Sequence, residues 1–242
     1  MKKIALATAV AAVCSVGVAQ ADTYNWEVQG NYTNIDNGFA DVDGYGIDGT
    51  YYFQEVDDSK GPFSEAAFLN KASSVTLGYV DFDGSDSVSI AGRLVLDSNL
   101  TLEANYADAD GSDVYGAAIG MYINDTSEVQ LTYADSDADD ADVWGVEYHG
   151  VYDLGDNAAL AADLGLSTAD AGEALTGGLT YYPMPQLGLG VDLAYLDYDD
   201  SDFGYGLSAE YFFTNSIFAG ATYNSVDDAD VDTYTLYVGA RF

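Results

Sequence analysis

Few residues in this 242-residue chain have the types and spacing that chemistry requires. The single histidine, His149, stands two residues from Glu147, which places a base and a carboxylate on one side of an extended segment. No serine or further carboxylate lies at a defined spacing from that pair, so hydrolytic Ser-His chemistry has no support and the chain reads as something other than an enzyme. Two runs, Asp81-Phe-Asp83-Gly-Ser-Asp86 and Asp108-Ala-Asp110-Gly-Ser-Asp113, bring carboxylates together around a turn glycine. Neither ends in the bidentate Glu of a twelve-residue calcium loop, so both are weak divalent-cation candidates, and no cofactor is expected.

The remaining chemistry is electrostatic. Six Lys and Arg oppose 41 Asp and Glu, a formal net charge of −35, yet 48% of the residues are apolar. Six basic residues cannot build the positive face that a nucleic acid demands. An apolar fraction of this size also excludes a disordered acidic tail. With 26 Gly, 21 Tyr and 3 Pro, the composition suits many short strands joined by tight turns.

Lys2 and Lys3 precede an apolar run over residues 4–18, and Ala19-Gln20-Ala21 offers a cleavage site, the pattern of a secretory signal peptide over residues 1–21. Removing it discards two basic residues, no acid, and the only cysteine, Cys14. The remainder, residues 22–242, reads as one domain without disulfides.

No stretch after residue 21 approaches the ~20 apolar residues of a membrane helix, a test that membrane strands escape because their apolar residues alternate with polar ones. Alternation runs throughout. Tyr24, Trp26, Val28, Gly30 and Tyr32 fall on one face, against Asn25, Glu27, Gln29, Asn31 and Thr33 on the other. The same count predicts fourteen strands, within two, near residues 24–33, 45–53, 74–82, 87–96, 100–107, 114–123, 128–135, 143–153, 159–167, 174–182, 187–198, 203–213, 216–225 and 234–242. Connections alternate between short turns, such as residues 97–99 and 124–126, and densely acidic loops, such as 108–113 and 135–142. The acidic end gathers 24 of the 41 acids, with aromatics flanking its loops.

An open sheet of that size would leave edges to aggregate, whereas a closed, even-stranded barrel leaves none. The expected fold is therefore an all-β transmembrane up-and-down antiparallel β-barrel. Its short turns and both termini belong on the periplasmic side and its acidic loops outside. Inward alternation marks Glu27, Asp48, Arg93, Glu103, Glu147, His149, Asp163, Asp192, Glu210 and Arg241 as pore-lining. Fourteen strands exceed the eight that side chains fill, so water enters, and seven acids against two arginines favour cations.

The signal peptide, the alternating strands, the aromatic last residue and the segment Gly61-Pro62-Phe63-Ser64-Glu65-Ala66-Ala67-Phe68-Leu69-Asn70 resemble the general porins of marine gamma-proteobacteria. That resemblance implies an outer-membrane channel for small hydrophilic solutes. The terminal pattern Tyr234, Leu236, Val238, Ala240 and Phe242 is similar to the signal read by the barrel assembly machinery. Outer-membrane lipid and lipopolysaccharide are the other expected partners, and homo-oligomerisation is left open. The chain lacks the long inward loop and facing charge clusters of trimeric porins. The alternative is a non-conducting structural or surface-recognition barrel.

Residues 61–71 break the period of two, and Pro62 followed by Glu65, Ala66 and Ala67 predicts one or two helical turns between the second and third strands. This segment would cover the mouth at the short-turn side, enter the lumen, or pack as a surface turn under the barrel edge.

Overall fold

A computed structural model describes residues 23–39, 41–109, 112–137, 139–170, 172–197, 201–227 and 231–242. The expected signal peptide lies outside these residues, as does Asp110. Strand follows strand: β1 (Thr23–Asp36), β2 (Asp41–Asp57), β3 (Ser74–Phe82), β4 (Ser85–Val95), β5 (Leu100–Ala109), β6 (Ser112–Asn124) and β7 (Ser127–Ser136). The second half holds β8 (Asp139–Gly155), β9 (Ala158–Ala169), β10 (Gly172–Met184), β11 (Leu187–Asp197), β12 (Ser201–Phe212), β13 (Ile217–Val226) and β14 (Val231–Arg241). Each pairs antiparallel with its chain neighbours, and β1 pairs with β14 from Glu27↔Arg241 to Asp36↔Asp232, closing the barrel.

Closure satisfies every strand edge, which is what permits the surface to be apolar. Trp26, Leu77, Leu131, Trp144, Leu193 and Leu236 are all exposed on the outer wall. A continuous apolar exterior on a closed barrel fits a lipid surround and would be untenable in water. Strands of nine to 17 residues are long enough to cross, since ~9–11 tilted residues suffice. Among the described residues no helix is long and apolar enough to span a membrane.

Tight turns close one end. At that end Asp156 and Asn157 adopt positive φ, 54° and 65°, the geometry whose twist matches a two-residue hairpin, and at the acidic end Asp83 and Gly84 do the same at 43° and 103°. Aromatics pair across the acidic hairpins: Tyr32 with Tyr45 (5.3 Å between centroids), Tyr106 with Tyr115 (5.4 Å), Tyr133 with Trp144 (4.7 Å) and Tyr195 with Phe203 (5.1 Å). Their hydroxyls reach toward the loops. Tyr32 donates to Asp43 (2.6 Å), Tyr106 to Asp113 (2.8 Å) and Tyr133 to Asp142 (2.9 Å). These rings mark an interface, with apolar bodies in lipid and polar tips among hydrated acids.

One departure from strict alternation is informative. Tyr24, expected on the outer face with Trp26, is buried, while Trp26 is 47% exposed. A bulge between the two residues shifts the register, with the N–H groups of Asn25 and Trp26 both donating to the Phe242 carbonyl. The extra residue turns the Tyr24 ring inward.

Interior apolar packing is confined to one end. Three buried clusters occur among the described residues, and each contains or touches the segment between β2 and β3. That segment begins with a 3-10 turn at Asp58–Lys60, capped by the Asp57 carboxylate on the Ser59 N–H (2.9 Å). A second 3-10 turn, Phe63–Glu65, follows extended Pro62 and leads into the short helix α1 (Ala66–Leu69). Asn70 donates its amide to the carbonyls of Asp57 and Ala66, both at 2.7 Å, and so closes the segment on itself.

Candidate functional site

The segment crosses the short-turn mouth. It leaves β2 and makes contacts spread around the ring, on β6, β8, β10, β12 and β14. Phe63 is the deepest anchor: its N–H donates to the Pro185 carbonyl (2.9 Å) in the turn between β10 and β11, and its ring meets Phe212 edge-on at 5.4 Å. Burying such a ring contributes roughly 1.5–3 kcal/mol. Glu65 accepts from the Tyr182 hydroxyl (2.8 Å) and stands 3.1 Å from His149 Nε2. The Phe68 carbonyl accepts from Tyr122 (2.9 Å), and its ring lies perpendicular to His149 at 4.3 Å. Lys71 reaches Asn99 and Asp125 in two other turns, at 3.0 Å each. Of the three placements open from sequence, the surface turn is not found: the segment covers the mouth and its side chains enter the interior there, on His149, Tyr182 and Arg241.

The expected lumen residues divide into three groups. Arg93, Glu103 and the buried Glu128 form one network, with Thr101 donating to Glu128 and Gln130 to Glu103 (2.7 Å). Tyr122 Oη lies 3.2 Å from the Arg93 guanidinium, so the cation is enclosed by four neighbouring strands.

Arg241 forms the second group and departs from expectation. It is 5% exposed and lies beneath the segment, so it does not face lumen water. Its Nε donates to Glu27 and its Nη1 to the Phe63 carbonyl (2.7 Å), while Tyr24, Phe212 and Phe218 surround the guanidinium at 4.7, 4.6 and 5.3 Å. Delocalised charge and flat faces suit Arg to such an aromatic box. The strand period gave the correct face for Arg241 but no sign of the cover. Nearby, Glu210 accepts from Tyr237 (3.1 Å).

The third group is acidic and open. Asp163 bonds His149 Nδ1 at 2.6 Å, whereas Asp48, Glu147 and Asp192 make no salt bridge among the described residues. Asp192 and Asp163 flank inward-facing Gly178, where a Cβ would come within 2.6 Å of the Asp192 carboxylate. The glycine gives these two acids room on one wall. Lys71, Arg93, His149 and Arg241 are each paired with carboxylates, so the unpaired interior charge is negative.

Two partners escaped the sequence reading. Glu128 was legible, because Gln130 and Thr132 share its inward parity. Glu65 was not, since it lies in the aperiodic segment and its partners stand 84 and 117 residues away. As for metals, among the described residues no group of three or more His, Cys, Asp or Glu stands close enough to hold an ion. Asp81 instead faces Asp86 across the hairpin, and Asp113 accepts from Tyr106 and Tyr115. Of the terminal pattern, Tyr234, Leu236 and Phe242 are exposed on the outer wall and Ala240 is fully covered.

Comparison with known proteins agrees with this architecture. The structure is similar to Omp33 of Acinetobacter baumannii, an outer membrane protein, with 28% identity over 92% of this chain and all of that one, and a TM-score of 0.78. A mutant porin of Rh. blastica (12% identity, 91% and 99% of the two chains, TM-score 0.51) and Pseudomonas putida OprB (10%, 90% and 92%, TM-score 0.50) share the fold. No curated protein sequence matches it. The family model described as "Putative general bacterial porin" matches residues 1–242. With a closed barrel, an apolar exterior and that match over its whole length, the chain belongs to the general bacterial porin family.

Proposed function

We propose that this outer-membrane porin passes small hydrophilic solutes and prefers cations. The observation that carries the preference is the pairing of the described interior cations with carboxylates, which leaves Asp48, Glu147 and Asp192 to set the field. In a water-filled passage walled by low dielectric, unpaired carboxylates raise the local concentration of cations and repel anions. No catalytic group is needed, because radius and wall charge suffice. In this reading residues 1–21 are a signal peptide, the acidic loops face outside, and the short turns and termini face the periplasm, as barrel asymmetry dictates. The pattern from Tyr234 to Phe242 serves the assembly machinery.

The segment over the short-turn mouth favours a low resting conductance, which is also what a non-conducting structural barrel would show. Planar bilayers under a salt gradient separate the two. Conductance steps with a reversal potential toward the cation value support the porin reading; an anion-directed potential overturns the selectivity, and silence under every condition leaves the structural barrel.

A further inference from the structure

The two main anchors of the segment differ in chemistry. Phe63 is held by groups that largely do not titrate: a backbone carbonyl at Pro185, the Arg241 guanidinium, and the rings of Phe212 and Phe218. Glu65 is held by a hydroxyl and a histidine. His149 has Asp163 of β9 at Nδ1 (2.6 Å) and Glu65 of the segment at Nε2 (3.1 Å). Ionised carboxylates only accept, so both ring nitrogens must donate, and His149 is an imidazolium bridging wall and segment. Phe68 covers one side of the ring.

The other charged and titratable groups facing this bridge are few. Glu128 of β7 is the register partner of His149, but it is occupied by Arg93, Thr101 and Gln130. Glu147 lies on the same strand and lines the same cavity, and Tyr182 of β10 shares Glu65. The bridge is also partly wet: the His149 side chain is 28% exposed and that of Asp163 53%, against 6% for Arg241. Protons can therefore reach one anchor and hardly the other.

We propose that the segment between β2 and β3 is a hinged gate, fixed at Phe63 by Arg241 and released at Glu65 when acid protonates the carboxylates that bracket His149. The proposal rests on the porin reading. With both carboxylates ionised the imidazolium bridge is complete and the mouth is closed. Protonating either one removes a charge and an acceptor from the bridge, and α1 swings off the wall. Losing a hydrogen bond to a charged group is worth roughly tenfold or more in the closed-to-open ratio.

The test uses the full mature chain with two readouts. A spin label at Ser64→Cys, unique because Cys14 precedes residue 22, reports segment motion; bilayer recordings report conduction. We expect the label to be immobile at pH 7 and to become mobile as the pH is lowered, with Glu65→Gln mobile already at pH 7 and open roughly tenfold more often. Asp163→Asn, at an exposed wall position, provides a second variant should Glu65→Gln not fold. A label that stays immobile in acid and in both variants overturns the gate, even if the barrel conducts. A label that becomes mobile while the bilayer stays silent upholds the gate and overturns the porin reading instead.

Discussion

The two ends of the barrel are built from the same alternating strands and differ in almost everything else. At the acidic end the strands run out into hydrated loops, and order comes from Tyr hydroxyls bonded to Asp, as in Tyr32 with Asp43 and Tyr223 with Asp232. At the short-turn end apolar clusters fill the interior, and Arg241 is buried among rings. One aperiodic stretch between β2 and β3 accounts for the contrast. Alternation produces a wall, and whatever opens or closes the passage must come from residues that leave the pattern.

The largest effect that would break this comparison is structural removal. Deleting residues 62–70 should uncover the short-turn mouth, and bilayer recordings should then show larger and more persistent steps; unchanged conductance would mean that the segment does not restrict the passage. Next comes Arg241→Met. It leaves the half-buried Glu27 without its cation, and as loss of one member of a fully buried pair costs about 3–5 kcal/mol, a cost at or below that range is expected, read as a lower thermal unfolding midpoint in detergent. Glu27→Gln should cost less, because Arg241 keeps the Phe63 carbonyl and its three rings.

A smaller effect sharpens the division between wall and rim. Neutralising Asp48, Glu147 and Asp192 together should move the reversal potential toward zero. The same number of neutral substitutions in the acidic loops should shift it less, because exposed charges are screened within about 10 Å at 0.1 M salt. Equal shifts would place the selectivity at the rim. The smallest expected change is Tyr106→Phe, which removes a hydrated bond to Asp113 and should lower the unfolding midpoint only slightly without altering conduction.

Much of the wall was legible before any coordinates, since a period of two assigns a face to each strand residue. Glu103, Glu147, Asp163 and Asp192 stand on the inner face by that rule alone, and Glu128 obeys it too. Tyr24 violates it because a bulge, in which the Asn25 and Trp26 N–H groups share the Phe242 carbonyl, inserts one residue into the count on β1. Arg241 obeys it, yet its surroundings were hidden. Its cover arrives from the β2–β3 segment, 178 residues away in sequence.

The sequence by itself determined the all-β alternation, the strand number to within two and the closed topology, because alternation and turn chemistry act between near neighbours. Only the tertiary structure decided that Phe63 seats against Arg241, that Glu65 meets His149 and that one mouth is covered. These contacts join residues far apart in sequence, 178 residues for Phe63 with Arg241 and 84 for Glu65 with His149, and come to exist only when β1 pairs with β14. Local periodicity carries no information about what the closed wall will bring together.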